Sequence, residues 1–83
     1  MNEDYLDRVL DRLVSETSID HTREIIYVPF EKDSFPINSS YLFFSIFIYF
    51  TNHARDMYGL TEEEIEYVWK QYRYIIQNKY DVL

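Results

Sequence analysis

The side chains that could carry acid–base or metal chemistry in this chain are two histidines, each with an aspartate nearby. His53 and Asp56 are three positions apart, which places them on one face of a helix, and His21 directly follows Asp20. A histidine–aspartate pair could ligate zinc or hold a general base. A zinc site needs further ligands, however, and the sequence has neither an HExxH motif nor a paired ExxH motif. We therefore interpret both histidines as structural or surface residues and expect no bound metal.

Four glutamates crowd together between Glu62 and Glu66. Paired carboxylates could hold a divalent cation or act as acid and base. Thr61, with Glu64 three positions later, forms a capping-box pattern, and the helix dipole favours acidic residues in a first turn. The glutamates thus predict the start of a helix. Because the sequence also lacks a phosphate-binding loop and a nucleophile elbow, we expect a protein without catalytic activity and without a cofactor.

Two tyrosines near the C-terminus have no place in the predicted core. Tyr67 and Tyr74 are two helical turns apart and fall opposite the apolar stripe of the last predicted helix. Tyrosine is rigid and amphipathic, which suits a contact site. The alternative is that another element of the fold covers this side of the helix. The candidate partner-binding residues on this face are Tyr67, Tyr74, Gln71, Glu63 and Asn78.

The charge balance indicates the kind of partner that such a face would attract. Fifteen acidic residues against eight basic ones give a net charge of −7. Asp4, Asp7 and Asp11 share one side of the first predicted helix and extend the candidate partner-binding set, although such a stripe is also typical of a solvated helix face. Carboxylates attract basic protein surfaces, whereas scattered lysines and arginines disfavour direct binding of nucleic acid. We expect a protein partner with a basic surface, such as a nucleic-acid-handling protein.

A long uncharged segment supports an alternative function. Residues 34–54 contain no Asp, Glu, Lys or Arg, which raises the question of a transmembrane helix. Interspersed proline, serine and asparagine, and the absence of flanking basic clusters, favour a buried helix and no membrane association. Tyr41, Phe44 and Ile48 lie outside the main apolar stripe of this helix. They predict, as the alternative, a homodimer or another self-associating structural or regulatory domain.

Length and composition narrow the remaining choices. The 83 residues are 47% apolar, which suits one compact domain over residues 1–83. The chain has no cysteine, and residues 1–4, two of them acidic and with no apolar stretch after them, do not resemble a secretory signal, so we expect a cytoplasmic protein. A small, acidic, aromatic-rich composition is similar to that of stoichiometric inhibitors, such as phage-encoded blockers of host enzymes and immunity proteins of nuclease toxins. The first functional hypothesis is therefore an inhibitor or adaptor encoded by a phage or another mobile element.

Apolar periodicity predicts three helices, over about residues 3–16, 39–58 and 62–79. Gly59 supplies a left-handed residue at the end of the second helix, directly before the capping box of the third. The predicted core stripes are Leu6, Val9, Leu10 and Leu13 in the first helix, Phe43, Phe47, Phe50, Ala54 and Met57, widened by Leu42, Ile46 and Tyr49, in the second, and Ile65, Val68, Trp69, Tyr72, Ile75 and Ile76 in the third.

The segment over about residues 24–37 predicts a short β-hairpin. Residues 24–30 are rich in β-branched and aromatic side chains, residues 31–34 have the composition of a turn, and residues 35–37 return as a second strand. A proline near each strand confines both strands to sheet edges. A helix over residues 20–28 is the alternative. The predicted fold class is mainly α, a small α+β domain.

Overall fold

The computed structural model describes residues 2–82, which form three helices and a three-stranded antiparallel sheet. The predicted fold class, a small and mainly helical α+β domain, is confirmed. The helix bounds agree with the predicted ones to within three residues. In chain order the elements are α1 (Glu3–Ser15), β1 (Ser18–Asp20), β2 (Ile25–Val28), β3 (Glu31–Pro36), α2 (Leu42–Tyr58) and α3 (Glu62–Tyr80).

The corner between α2 and α3 forms as predicted. Gly59 ends α2 with φ +64°, and its N–H donates to the carbonyl oxygen of Arg55 at 3.1 Å. Thr61 caps α3 in a complete capping box: its hydroxyl accepts from the N–H of Glu64, and the Glu64 carboxylate accepts from the N–H of Thr61 at 2.9 Å. Both bonds satisfy backbone donors that a helix start leaves free, so the corner is fixed by local chemistry.

The second helix begins three residues later than predicted. The hydroxyl of Ser39 accepts from the N–H of Tyr41 in a turn, so the chain becomes helical only at Leu42. In the part of the chain that the structure describes, no helix is both long and apolar enough to span a bilayer.

The hairpin is confirmed, but its predicted turn is wrong. The chain reverses at Pro29 and Phe30, between the paired residues Val28 and Glu31. Residues 31–34, predicted as a turn because they are polar, belong to β3, an edge strand on which polar side chains face water.

The strand order also differs from the prediction of two edge strands. β2 lies in the centre of the sheet because β1, a three-residue strand that the sequence did not reveal, pairs with its other side. Pro29 does not interrupt this central strand since it lies in the turn, and Pro36 ends the edge strand β3. Both prolines therefore lie outside β2 and outside the interior of β3, and the register of the β2–β3 pair shifts between Ile26 and Val28.

The core lies where the three helices meet the inner face of the hairpin. The predicted stripe of α1 is fully confirmed, and that of α3 is confirmed with Trp69 and Ile75 only half-buried. In α2 the prediction is wrong for three residues: Phe47 is partly exposed beside Trp69, Tyr49 is partly exposed beside Phe35, and Met57 is 67% exposed beside His53 in the last turn. The buried apolar residues are Leu6, Val9, Leu10, Leu13, Ile26, Val28, Phe30, Leu42, Phe43, Ile46, Phe50, Ala54, Leu60, Ile65, Val68, Tyr72 and Ile76.

One buried polar network joins the end of α1 to α3. The hydroxyl of Thr17 donates to the carbonyl oxygen of Leu13 at 2.7 Å, and the hydroxyl of Tyr72 lies 2.8 Å from the same Thr17 oxygen. Because the one hydroxyl proton of Thr17 is already engaged, Tyr72 is the donor of the second bond. Burial raises the pKa of the Tyr72 phenol above its usual range, and the bond to Thr17 opposes that shift. Tyr80 donates to the Thr17 carbonyl oxygen at 3.0 Å and completes the network.

We predict that Thr17→Val lowers the free energy of unfolding by about 1–3 kcal/mol, because it leaves the buried Tyr72 hydroxyl without an acceptor. Tyr72→Phe costs less, about 0.5–1.5 kcal/mol, since Thr17 keeps its bond to Leu13. The double variant should lose clearly less than the sum of the two single variants. Urea unfolding of all four proteins measures these differences, and strictly additive losses would contradict the hydrogen bond.

We predict that Gly59→Ala lowers the free energy of unfolding by about 1–2 kcal/mol, because alanine disfavours the left-handed conformation. An added Cβ would meet no atom within 4 Å, so the cost is conformational rather than steric. Gly59→Asn is the matched control and should lose less, since asparagine tolerates this conformation. Thermal unfolding distinguishes the two, and equal losses would point to a packing role for this position.

Candidate functional site

Three large apolar side chains of α2 lie in a row on the surface. Tyr41, at the start of the helix, and Phe44 and Ile48 within it are spaced at i, i+3 and i+7, which aligns them on one face. They are 70%, 73% and 55% exposed, whereas the opposite face of α2 is buried. We call these three residues the α2 strip. It contains all the residues predicted for self-association.

A groove runs beside the strip, between α2 and α3. Its volume is about 610 Å³, and Phe44 belongs to both the strip and the groove wall. Trp69 is one of the lining residues, and its ring centroid lies 5.0 Å from that of Phe47 and 5.0 Å from that of Phe50. The further apolar lining comes from Phe43 and Ile65. The strip and the groove therefore form one continuous, mainly aromatic surface. We call the groove the α2–α3 groove.

The charged side chains along this groove are ordered by sign. Two contacts show that the helices run antiparallel. Arg55 of α2 pairs with Glu62 of α3 near the corner. At the far end, the guanidinium of Arg73 lies 5.0 Å from the centroid of the Phe43 ring. Glu62 and Glu66 therefore line the end near Gly59, and Lys70 and Arg73 line the opposite end. Lys70 also pairs with Glu66 at 3.0 Å in the middle. The groove is locally balanced in charge although the chain is strongly acidic.

The outer face of α3 only partly matches the predicted tyrosine surface. Tyr74 is 66% exposed, and the Asn78 side chain donates to its carbonyl oxygen at 2.7 Å. Tyr67, in contrast, is half-buried and packs against the core. Gln71 and Glu63 are exposed. The structure therefore provides one exposed tyrosine with polar neighbours at this face, instead of two.

The acidic side of α1 is open to solvent. Asp4, Asp7 and Asp11 are all exposed, and none of them takes part in an ion pair among residues 2–82. The nearby Arg12 is instead occupied by Glu16, at 2.9 Å. These carboxylates are consequently available to attract a positively charged surface.

The histidines do not assemble a metal site. His53 is half-buried between the rings of Phe30 and Tyr58, whose centroids lie 6.1 Å and 5.6 Å away, while Asp56 and His21 are exposed. Burial lowers the pKa of His53. The negative charge of Glu16 raises this pKa, and the positive charge of Arg12 lowers it by a smaller amount. Between Asn2 and Val82 no three acidic, histidine or cysteine side chains are grouped as metal ligands would be.

Sequence reasoning missed the groove because it assigned Phe47 and Trp69 wholly to the core. The signal that could have revealed it was the series of charges at Glu62, Glu66, Lys70 and Arg73, which recurs at helical spacing beside Trp69. Comparison with known proteins gives no guide to this surface: no family model, no curated protein and no solved structure matches the chain. Its role must be inferred from its own residues.

We predict that acidification destabilises the fold through His53. Its pKa in the folded protein lies below the ordinary value of 6.5, so protonation favours the unfolded chain. The stabilisation from the neutral ring is present above pH 6.5 and decreases as the pH falls through 6.5 toward the folded pKa. Urea unfolding at a series of pH values should show a weaker pH dependence for His53→Gln, whereas His21→Gln, at an exposed position, should behave as the parent protein. Identical pH profiles for the parent and His53→Gln would contradict this role.

Proposed function

We propose that this chain is a non-catalytic protein-binding module that docks onto another protein chain through the α2 strip and the α2–α3 groove. The observation that supports this most is the exposure of Tyr41, Phe44 and Ile48 in one uninterrupted row. Contiguous apolar patches of this kind on soluble proteins mark interaction sites, and aromatic side chains are the usual anchors of such sites.

The groove strengthens the proposal because it offers depth as well as apolar area. Hot-spot residues of interfaces lie in well-packed pockets from which water is removed. Trp69 and Phe47 line such a pocket, and their positions are held by the edge-on packing of their rings. A bulky apolar side chain of the bound protein would enter there.

We further propose that the acidic outside of the module recruits a basic partner, as a stoichiometric inhibitor or adaptor of a nucleic-acid-handling protein. The support is the net charge of −7 together with the exposed carboxylates of Asp4, Asp7 and Asp11. Such charges speed the encounter with a basic surface and make it depend on salt. Tyr74 would be the aromatic anchor of this acidic surface, with Glu63, Gln71 and Asn78 around it and Tyr67 contributing less because it is half-buried. An origin in a phage or another mobile element belongs to the same proposal, on the composition alone.

We predict that Phe44→Ser with Ile48→Ser weakens binding through the strip by roughly tenfold or more, because two desolvated anchors are lost. Since both side chains are exposed in the isolated chain, the free energy of unfolding should change by no more than about 0.5 kcal/mol. The measurement is affinity capture with tagged protein from lysate of the organism that carries the gene, with identification of the captured chains by mass spectrometry.

Matched variants assign each surface in the same experiment. Tyr67→Ala with Tyr74→Ala tests the outer face of α3, and Asp7→Asn with Asp11→Asn tests the steering charges of α1. A basic nucleic-acid-handling protein that is captured less at high salt, and less by the aspartate variant, supports the inhibitor or adaptor role. Equal capture of every chain, further copies of this chain included, by the parent protein and the strip variant would contradict docking through α2.

A further inference from the structure

The order of charges in the α2–α3 groove makes the groove complementary to itself. Glu62 and Glu66 line one end, and Lys70 and Arg73 line the other. From Glu62 to Arg73 the α3 wall spans roughly 16 Å, at about 1.5 Å per residue. A second groove turned through half a turn would therefore bring its basic end to the acidic end of the first, and its acidic end to the basic end.

We propose that a second copy of this chain occupies the strip and the groove, in a two-fold dimer with antiparallel α2 helices. The inference rests on the proposed function, in which another protein chain binds to this surface, and it identifies that chain as a second copy. Phe44 of each copy enters the groove of the other, beside Trp69 and Phe47, and Ile48 lies near the two-fold axis. Glu62 and Glu66 of each copy, which also pair with Arg55 and Lys70 of their own chain, lie opposite Lys70 and Arg73 of the other.

Local charge balance favours a copy of this chain over a basic partner at this surface. The uncharged residues 34–54 contribute the strip, and the groove adds two carboxylates and two cations. A strongly basic surface would gain little from such a balanced groove and would be attracted instead to the acidic side of α1. The net charge of −7 opposes association of two copies, but that repulsion is screened beyond about 8 Å at physiological salt.

The exposed apolar area fits a modest dimer. Buried aromatic side chains cover about 150–250 Å² each, so the exposed parts of the strip and of Phe47 amount to on the order of 500 Å² per chain. Standard interfaces bury about 800 Å² on each partner, and here the polar rim supplies the difference. We expect a dimer that dissociates at micromolar concentrations and leaves the acidic side of α1 exposed on both copies for a basic partner.

Sedimentation velocity with charge-reversed variants tests the arrangement. The parent chain should sediment as a dimer at several hundred micromolar and dissociate on dilution. Glu62→Lys with Glu66→Lys makes all four groove charges positive, and Lys70→Glu with Arg73→Glu makes them all negative. Each variant alone should dimerise at least roughly tenfold more weakly than the parent, and an equimolar mixture of the two should form the dimer again.

A matched control distinguishes the effect of reversing charges in the groove from the effect of the change in net charge. Asp7→Lys with Asp11→Lys reverses two charges on α1, as the first variant does on α3, and it should still dimerise at least as well as the parent. Circular dichroism verifies that every variant is folded. Dimers that form equally well in the separate charge-reversed variants, or a mixture that stays monomeric, would overturn the antiparallel arrangement.

The outcome also distinguishes this inference from the proposed function. A parent chain that remains monomeric at several hundred micromolar overturns the dimer. If the strip variant Phe44→Ser with Ile48→Ser then loses a partner captured by the parent, the surface docks a different protein and the proposed function stands. If both experiments fail, the strip is not a docking surface.

Discussion

The side chain of Tyr72 in α3 contacts α2, the hairpin turn and the segment that follows α1. It stacks on Phe50 of α2 at 5.8 Å and lies edge-on to Phe30 of the hairpin turn at 5.7 Å. Its hydroxyl bonds to Thr17, which links α1 to β1. A buried aromatic ring contributes the largest apolar area of any core residue type, and its hydroxyl must have a partner. Contacts with this one residue of α3 therefore help to position α1, α2 and the hairpin.

The exposed face of α2 follows from this arrangement and from the size of the chain. α2 is apolar on nearly all sides in its first half, but its buried side already meets α3 through Phe43 and the hairpin turn through Phe50. A domain this small has too few elements to cover a second side of the same helix. Tyr41, Phe44 and Ile48 consequently remain exposed on the surface of the described domain.

Local patterns predicted the parts of the fold that local chemistry decides. The capping box at Thr61 and the left-handed Gly59 fixed one corner from sequence alone, because both act within a few residues. The pairing of β1 with β2 joins residues that have no local signal, and a three-residue strand is too short to show alternation. The exposure of Met57 and the partial burial of Tyr67 depend on which neighbouring elements cover them, and helical phase alone does not carry that information. The strip could be predicted as the unused side of an over-apolar helix, whereas the groove required the relative placement of α2 and α3.

The charged composition of β3 has a consequence for how the molecule behaves when crowded. An edge strand presents free backbone groups to which a strand of another molecule could add, and repeated addition leads to fibrils. Among residues 2–82, β3 has β2 on one side only, and it carries Glu31, Lys32 and Asp33 in succession. Charged side chains on an edge strand disfavour pairing with the edge of another sheet, because pairing would remove them from water. The free edge of β3 is thus protected against the addition of strands from other molecules.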